Sequence, residues 1–262
     1  VEFISDYRYE LRDSSGALHG QISNGQAITL RYDTNKKEYI AFNENQYASS
    51  TLPLRLLPRE EASNIFTLKN AINFRGSNKK INYNQFHGIL EMRFAAKHVW
   101  IVNELNIEEY LHGLAEAGNG SPEEFLKSLA IAARSFAYDA VQNPVKHQRE
   151  KFNVDAEYDQ IYKGVVREKN NSEWVSAVND TRGTVVTYKG EPVTTPYFAQ
   201  SNGSTKSFAE VWGKTKPWLI PVKAQYDRGR KRLGHGVGMS THDALARAKK
   251  GAQAEEILKY LK

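Results

Sequence analysis

The chain has 262 residues, 40% of them hydrophobic, which suffices for one large domain or two smaller ones with a sizeable core. It has no cysteine, which excludes disulfides and thiolate metal sites. No apolar run reaches about 18 residues, so no membrane span is expected within it. The formal charge of +6 suits an anionic partner. Dispersed basic residues and the lack of a nucleic-acid-binding motif argue against DNA or RNA.

The first 60 residues have the pattern of short antiparallel strands, separated by turn residues. Strands are predicted at residues 3–4, 7–11, 27–32 and 39–42. Residues 53–58 begin and end with proline, which predicts a linker or an edge strand. Further strands are predicted at residues 71–74, 80–83, 88–94 and 99–102. We therefore predict a β-rich N-terminal region at residues 1–62 and a core at residues 63–262.

Residues 103–138 are predicted to form two helices joined by a glycine-containing turn. Asn106 is suited to cap the first helix, and residues 121–124 (SPEE) predict a capping box at the start of the second. Alanines in the second helix predict close packing at the centre of the protein, with Arg134 on its outer side. The predicted fold class is α+β, with a mostly antiparallel β core, a central alanine-rich helix pair and an N-terminal β unit.

Glu116 is predicted at the C-terminal end of the first helix, just before Gly118 and Gly120. A helix C-terminus carries partial negative charge, which disfavours a carboxylate and should raise the pKa of Glu116. A raised pKa suits a general acid near neutral pH. The alternative is a solvated glutamate on a polar helix face, and spacing alone leaves both interpretations open.

Five stretches resemble, in order, motifs of the stage II sporulation protein D family. Residues 102–113 (VNELNIEEYLHG) resemble that family's VNELPLEDYLRGV opening, and Glu116 matches the glutamate that follows it. The other four stretches are residues 129–137 (LAIAARSFA), 159–164 (DQIYKG), 210–213 (EVWG) and 234–240 (GHGVGMS). The resemblance implies membership of this family over most of the predicted core.

The resemblance implies a peptidoglycan lytic transglycosylase, which cleaves the bond between N-acetylmuramic acid and N-acetylglucosamine and leaves 1,6-anhydro ends. Glu116 would act first as general acid and then as base, with no cofactor. The expected partners are peptide-stripped glycan strands and a cell-wall amidase acting on the same substrate. The expected location is the bacterial envelope outside the cytoplasm. Because no export signal precedes Val1, we expect any signal or membrane anchor to lie outside these residues.

The resemblance also implies a set of residues that contact substrate. Arg134 and Lys206 are predicted to pair with the lactyl carboxylate of muramic acid. The full predicted set of substrate-binding residues is Arg134, Gln160, Tyr162, Tyr197, Ser201, Lys206 and His235. The chain departs from the family at residues 198–200 (FAQ), where a histidine and two serines are usual, and at residues 241–244 (THDA), where QWGA is usual.

Metal binding is not expected. Residues 155–159 (DAEYD) resemble the start of a calcium loop, but Gln160 and Val166 replace the glycine and glutamate that such a loop requires. Two other functions remain open. A muramidase-type hydrolase would need a second carboxylate, with Asp155, Glu157 and Asp159 as candidates. A non-catalytic wall-binding protein or amidase enhancer would not need Glu116.

Overall fold

The computed structural model describes residues 1–45, 47–60, 64–71 and 81–259. Its internal contacts divide the chain into two compact units. Unit 1 comprises Val1–Ala115 and His147–Asn170, and unit 2 comprises Glu116–Lys146 and Asn171–Lys262. The predicted domain boundary between residues 62 and 63 lies outside the described residues and stays a prediction.

Short hairpin turns and longer loops connect the strands and helices along the chain. The strands are β1 (Glu2–Ile4), β2 (Tyr9–Asp13), β3 (Leu18–Ile22), β4 (Ile28–Asp33), β5 (Glu38–Phe42), β6 (Tyr47–Ser50), β7 (Leu54–Pro58), β8 (Ile65–Leu68), β9 (Gln85–His87), β10 (Ile89–Ala95), β11 (His98–Glu104), β12 (Thr187–Tyr188), β13 (Glu191–Pro192), β14 (Tyr197–Phe198) and β15 (Met239–Ser240). The helices are α1 (Ile107–His112), α2 (Glu123–Gln142), α3 (Gly164–Lys169), α4 (Ser172–Asp180), α5 (Phe208–Trp212), α6 (Thr241–Ala248) and α7 (Ala254–Lys259), with a 3-10 turn at Gln225–Asp227.

Unit 1 is a sandwich of two antiparallel sheets. Among the described residues, the strand orders are β6-β5-β4-β1-β8-β9 and β11-β10-β7-β2-β3. Phe3 in the first sheet packs edge-on against Tyr9 in the second, with ring centroids 4.9 Å apart. Tyr32 and Phe94 likewise stack between the sheets at 4.5 Å. Alternate residues of β2 and β4 are buried in this core, as expected for strands with one solvated face.

The prediction of a linker or an edge strand at residues 53–58 is wrong. β7 is an interior strand, paired with β2 on one side and β10 on the other. Leu54 and Leu56 are fully buried in the core. Proline is tolerated because Pro53 precedes the strand and Pro58 is its last residue, where fewer ladder bonds are lost.

The four strands predicted between residues 71 and 102 have different outcomes. The strand predicted at residues 80–83 is wrong for its described part, because residues 81–83 form no strand. The strand predicted at residues 71–74 falls mostly outside the described residues. The strands predicted at residues 88–94 and 99–102 are confirmed as β10 and β11.

Unit 2 is arranged around α2, which packs against α4, α6 and α7. Ala130, Ala132, Ala133 and Ala137 are buried, and such small side chains allow neighbouring helices to approach closely. A hairpin of β12 and β13 and a parallel pair of β14 and β15 complete its strands in the described part. Together with unit 1, this confirms the predicted α+β class. No helix in the described part of the chain is long and apolar enough to cross a membrane.

The helix pair differs from the prediction at the joint. α1 begins as predicted, because the Asn106 side chain accepts a hydrogen bond from the Glu108 N–H. It ends at His112, well before the predicted stop at Gly118. α2 begins without a capping box, since no side chain bonds its first turn and Pro122 occupies the N-cap. Pro122 still suits that position because it lacks an N–H to satisfy.

Candidate functional site

Residues 160–164 hold the end of α1 within unit 1. The Lys163 N–H donates to the Gly113 carbonyl at 2.8 Å, and the Ala115 N–H donates to the Ile161 carbonyl at 2.8 Å. Leu114 and Tyr162 form an antiparallel bridge between these hydrogen bonds. The helix therefore stops because its next residues pair with another segment, an interaction between residues about 50 positions apart that local spacing does not predict.

Gln160 and Tyr162, both predicted to contact substrate, are buried beside α1. Gln160 is 1% exposed and accepts a hydrogen bond from the Tyr110 hydroxyl at 2.9 Å. The Tyr162 ring stacks on Tyr110 at 5.1 Å, and its hydroxyl donates to the Asn103 side chain at 3.3 Å. Burial raises the pKa of Tyr162, so its hydroxyl stays protonated. These contacts position the turn that leads to Glu116, and direct substrate contact stays a prediction.

Replacing Gly113 with alanine is expected to destabilise unit 1. A Cβ atom there would lie 2.5 Å from the Tyr162 ring and 2.9 Å from the Gly164 Cα. Overpacking of this kind costs about 1–3 kcal/mol, measured as the free energy of unfolding in urea. Gly118→Ala is the control, because a Cβ at Gly118 meets no atom within 4 Å. Equal stability of the two variants would contradict the packing of Tyr162 on Gly113.

Glu116 lies in a bend between α1 and α2 and is half-buried. It is the first residue of unit 2 in this segment. The carbonyl of the next residue, Ala117, accepts a hydrogen bond at 2.9 Å from the side chain of Asn171, which is fully buried in unit 2. The residue before it, Ala115, is bonded within unit 1 as described above. Ala115 is therefore held within unit 1, and Ala117 is held within unit 2.

The predicted location of Glu116 at a helix C-terminus is wrong. Glu116 lies four positions after His112, the last residue of α1, and the field of a helix end falls off within its last turn. The helix C-terminus was the reason for expecting a raised pKa of Glu116, and that reason no longer applies. The expectation that Glu116 acts as an acid and a base now depends on its held position and on the family resemblance.

The predicted outer position of Arg134 is also wrong. Its side chain is 1% exposed and lies under the end of α4. The guanidinium donates to the Val178 carbonyl at 3.0 Å, the Thr184 carbonyl at 3.1 Å and the Thr181 hydroxyl at 3.3 Å. Val178 lies in the last turn of α4, where carbonyls have no partner within the helix, and Thr181 and Thr184 follow it. The predicted contact of Arg134 with substrate stays a prediction.

His235 is fixed by two backbone groups in the glycine-rich segment. The Val237 N–H donates to Nδ1 at 3.0 Å, so Nε2 carries the proton and donates to the Tyr197 carbonyl at 3.1 Å. Both ring nitrogens are used, and only the ring faces remain for contact. Burial lowers the pKa of His235, which keeps the ring neutral.

The stability contributed by His235 is expected to depend on pH. Its folded pKa lies below the ordinary value of about 6.5, so the unfolded chain binds the proton first. The contribution is therefore complete above about pH 6.5 and is lost as the pH falls through the window below it. The measurement is the free energy of unfolding at pH 7.5 and 5.0 for the wild type and His235→Gln. The variant should lose less stability on acidification, and an equal loss would contradict the neutral, buried ring.

Asp227 is a buried carboxylate at the centre of a hydrogen-bond network that the sequence did not indicate. It is fully buried, and its carboxylate accepts from the Ser201 N–H at 2.8 Å, the Ser240 hydroxyl at 2.5 Å and His242 Nδ1 at 2.6 Å. Burial opposes its charge, yet these hydrogen bonds outweigh burial and lower the pKa of Asp227. Its place after a turn, among scattered polar residues, carries no pattern that predicts this role.

The other predicted residues of unit 2 surround Asp227 and His235. Ser201 is fully buried, so its role seen here is to shape the chain around Asp227. The Lys206 N–H donates to the Gly236 carbonyl at 2.7 Å, which brings Lys206 beside His235. Tyr197 is half-buried and pairs with Met239 in the parallel strands. Unit 2 thus groups Tyr197, Ser201, Lys206 and His235.

The carboxylates proposed as partners for a hydrolase lie in a closed turn of unit 1. Asp155 accepts from the backbone N–H groups of Glu157 and Tyr158, both at 2.8 Å. Asp159 accepts from His147 at 2.7 Å and from the Asp155 N–H at 2.9 Å. Asp155 and Asp159 thus stabilise their own turn. In the described ranges, no group of three or more His, Cys, Asp or Glu side chains is arranged to hold a metal ion.

These features define an α+β protein with a β-sandwich unit, a unit built around an alanine-rich helix, and a glutamate held between α1 and α2. The family model described as SpoIID, Stage II sporulation protein, matches residues 95–188. This segment contains α1, Glu116, α2 and the paired residues 160–164. This match supports membership of the stage II sporulation protein D family.

Several individual proteins are similar to this chain. Stage II sporulation protein D of Bacillus amyloliquefaciens is 31% identical over 144 residues, which cover 48% of this chain and 41% of that protein. An uncharacterized protein of Brachyspira hyodysenteriae is 36% identical over 164 residues, 61% of this chain and 39% of that protein. The amidase enhancer of Bacillus subtilis is 30% identical over 104 residues, 40% of this chain and 13% of that protein. The matches thus span less than half the length of each relative.

Proposed function

We propose that this protein is a peptidoglycan lytic transglycosylase with Glu116 as its catalytic acid and base. The observation that carries the proposal is the held position of Glu116 within the segment that the family model matches. A catalytic carboxylate must be fixed relative to its substrate, because general acid catalysis requires hydrogen-bond reach. Within unit 2, the hydrogen bond from the Asn171 side chain to the Ala117 carbonyl supports such a restraint next to Glu116.

The proposed reaction needs one carboxylate. Protonated Glu116 donates its proton to the glycosidic oxygen, and the bond from that oxygen to C1 of muramic acid breaks. The resulting carboxylate accepts the proton of the C6 hydroxyl, whose oxygen bonds to C1 and closes the 1,6-anhydro ring. No water is activated, so the second carboxylate of a hydrolase is not required. Asp155 and Asp159, two of the three candidates for that carboxylate, already bond within their own turn, which disfavours these two in the role.

The proposed substrate is a glycan strand whose stem peptides have been removed. Such a strand exposes a lactyl carboxylate on each muramic acid, and Lys206 is the proposed partner for it. The net charge of +6 favours association with this polyanion. The proposed location is the bacterial envelope outside the cytoplasm, in a sporulation or wall-remodelling process. A cell-wall amidase is a proposed partner, since it would produce the stripped strands.

A second candidate is a wall-binding protein without catalysis. It is favoured by the similarity to a protein named amidase enhancer and by the burial of Arg134, Gln160 and Ser201, which stabilise the fold. This candidate predicts that the protein binds strands, leaves them intact and does not depend on Glu116.

Product analysis separates the candidates. Purified strands with and without stem peptides are incubated with the wild type and with Glu116→Ala, and the ends are identified by mass spectrometry. Anhydro-ended products that disappear in the variant support the transglycosylase. Reducing-end products would indicate hydrolysis. Intact strands that co-sediment with both proteins would overturn catalysis in favour of the binding protein.

A further inference from the structure

Trp212 is an exposed aromatic side chain held in a fixed position on unit 2. Its residue is 43% exposed. Its ring packs against Phe208 at 4.5 Å between ring centroids and against His235 at 5.0 Å. His235 is itself fixed by two backbone hydrogen bonds. An indole that packs on two sides and faces water on a third is oriented before any ligand arrives.

The short helix α5 is held at both ends, which fixes Trp212 further. Ser207 and Glu210 form a capping box at its start. Gly213 ends it with φ of 73°, a left-handed conformation that glycine adopts readily. The Phe208 N–H also donates to the Leu219 carbonyl at 3.0 Å. A five-residue helix is marginal alone, so these contacts keep the exposed ring in place.

A lysine joins Trp212 to a second aromatic pair. The Lys216 ammonium lies 5.2 Å from the Phe208 ring and 5.0 Å from the Trp218 ring. Trp218 in turn packs on Tyr188 at 5.6 Å. We call this strip the aromatic platform, and its members are Tyr188, Phe208, Trp212, Lys216, Trp218 and His235. The Lys216 ammonium lies within the distance at which each of these two rings attracts positive charge.

The platform has basic and acidic neighbours. Glu191 pairs with Tyr188 across the β12–β13 hairpin, and Lys189 lies over the Tyr188 ring. Hydrogen bonds from the Ser207 backbone and side chain lower the pKa of Glu210, with Lys206 and Arg232 adding to the effect. Glu210 is thus engaged in capping α5, while Lys206 and Arg232 lie close by. A ligand on the platform would meet aromatic faces flanked by cations.

We propose that the aromatic platform is a glycan-binding surface that takes a strand of alternating sugars bearing carboxylates, with Trp212 as its main contact. The identity of the polymer rests on the proposed function. A pyranose ring has an apolar C–H face that packs on the negative face of an indole. Carboxylates along the strand then meet Lys206 and Lys216. Aromatic surface exposed to water lacks the favourable free energy of apolar burial, which a bound sugar face would supply.

Binding is tested in the Glu116→Gln protein, so that strands are not cut during the measurement. Calorimetry measures the affinity for peptide-free strands of the Glu116→Gln protein. The same measurement is made on three double variants, in which Trp212→Ala, Trp212→Phe or Tyr47→Ala is added to Glu116→Gln. Trp212→Ala should weaken binding at least about tenfold, as for a central aromatic contact. Trp212→Phe should retain most of the affinity because it keeps a ring against Phe208 and His235. Tyr47, 65% exposed on unit 1, is the aromatic control and should not change binding.

A neutral ligand separates stacking from charge. Chito-oligosaccharides have the same apolar faces and no carboxylate, so Trp212→Ala should weaken their binding too, whereas Lys216→Gln should weaken only the anionic strand. Unchanged binding in Trp212→Ala, or equal loss in Trp212→Phe, would overturn the platform. Thermal unfolding of each variant shows whether lost binding reflects lost structure. If a variant is unfolded, the test is whether the strand protects the tryptophan fluorescence of the wild type from quenching by acrylamide.

The platform and the proposed function can fail separately. If the wild type cuts strands but Trp212→Ala in the Glu116→Gln protein binds them normally, the platform is overturned and the transglycosylase stands. If strands bind through Trp212 but the wild type leaves them intact, the platform stands and catalysis is overturned.

Discussion

Glu116→Gln is expected to reduce the rate of anhydro-product formation roughly a hundredfold to ten-thousandfold, the range for losing a general acid and base. Glutamine keeps the size of the side chain but neither donates a proton to the glycosidic oxygen nor accepts one from the C6 hydroxyl. Because Ala115 and Ala117 are held by backbone contacts, the turn itself should persist. The measurement is kcat/KM on peptide-free strands, with mass spectrometry of the ends.

Glu123→Gln is the matched control for this prediction. Glu123 lies seven residues further on, and its side chain is largely exposed and paired with Lys127. Exposed pairs contribute little, so the control should be active and stable. Strand binding by Glu116→Gln shows that the variant is folded. Activity within about tenfold of wild type would show that another group supplies the proton, because a lost acid and base costs more than that.

Arg134→Met is expected to lower the free energy of unfolding by about 3 kcal/mol or more. The change removes the donors to Val178, Thr181 and Thr184. Hydrogen bonds from charged groups contribute about 1.5–3 kcal/mol each, and the Val178 carbonyl would be left buried without this partner. The measurement is urea unfolding followed by circular dichroism.

The control for Arg134 lies on the same helix. Lys127 pairs with Glu123 and Glu124 at the surface, so Lys127→Met should cost less than about 1 kcal/mol. Arg134→Lys should recover only part of the stability, because an ammonium cannot reach three acceptors in the fork geometry of a guanidinium. If Arg134 instead pairs with a substrate carboxylate, Arg134→Met would raise KM and leave stability nearly unchanged.

Local patterns in the sequence were sufficient for the elements that depend on neighbours along the chain. The Asn106 cap, the length and burial of α2, and the strands β10 and β11 follow from side-chain periodicity and capping chemistry, which act over a few residues. The five motifs were sufficient for the family, because they preserve residue types in order. The same patterns identified Glu116 as the residue to test.

Long-range contacts decided the rest. α1 ends at His112 because Leu114 pairs with Tyr162, and Arg134 is buried because α4 ends above it. β7 lies inside a sheet because β2 and β10 pair with its two edges. Asp227 gathers Ser201, Ser240 and His242 from separate segments. Each of these features depends on which distant segment of the chain supplies the partner. Tertiary packing selects that segment, and it overrides the local propensity of the sequence.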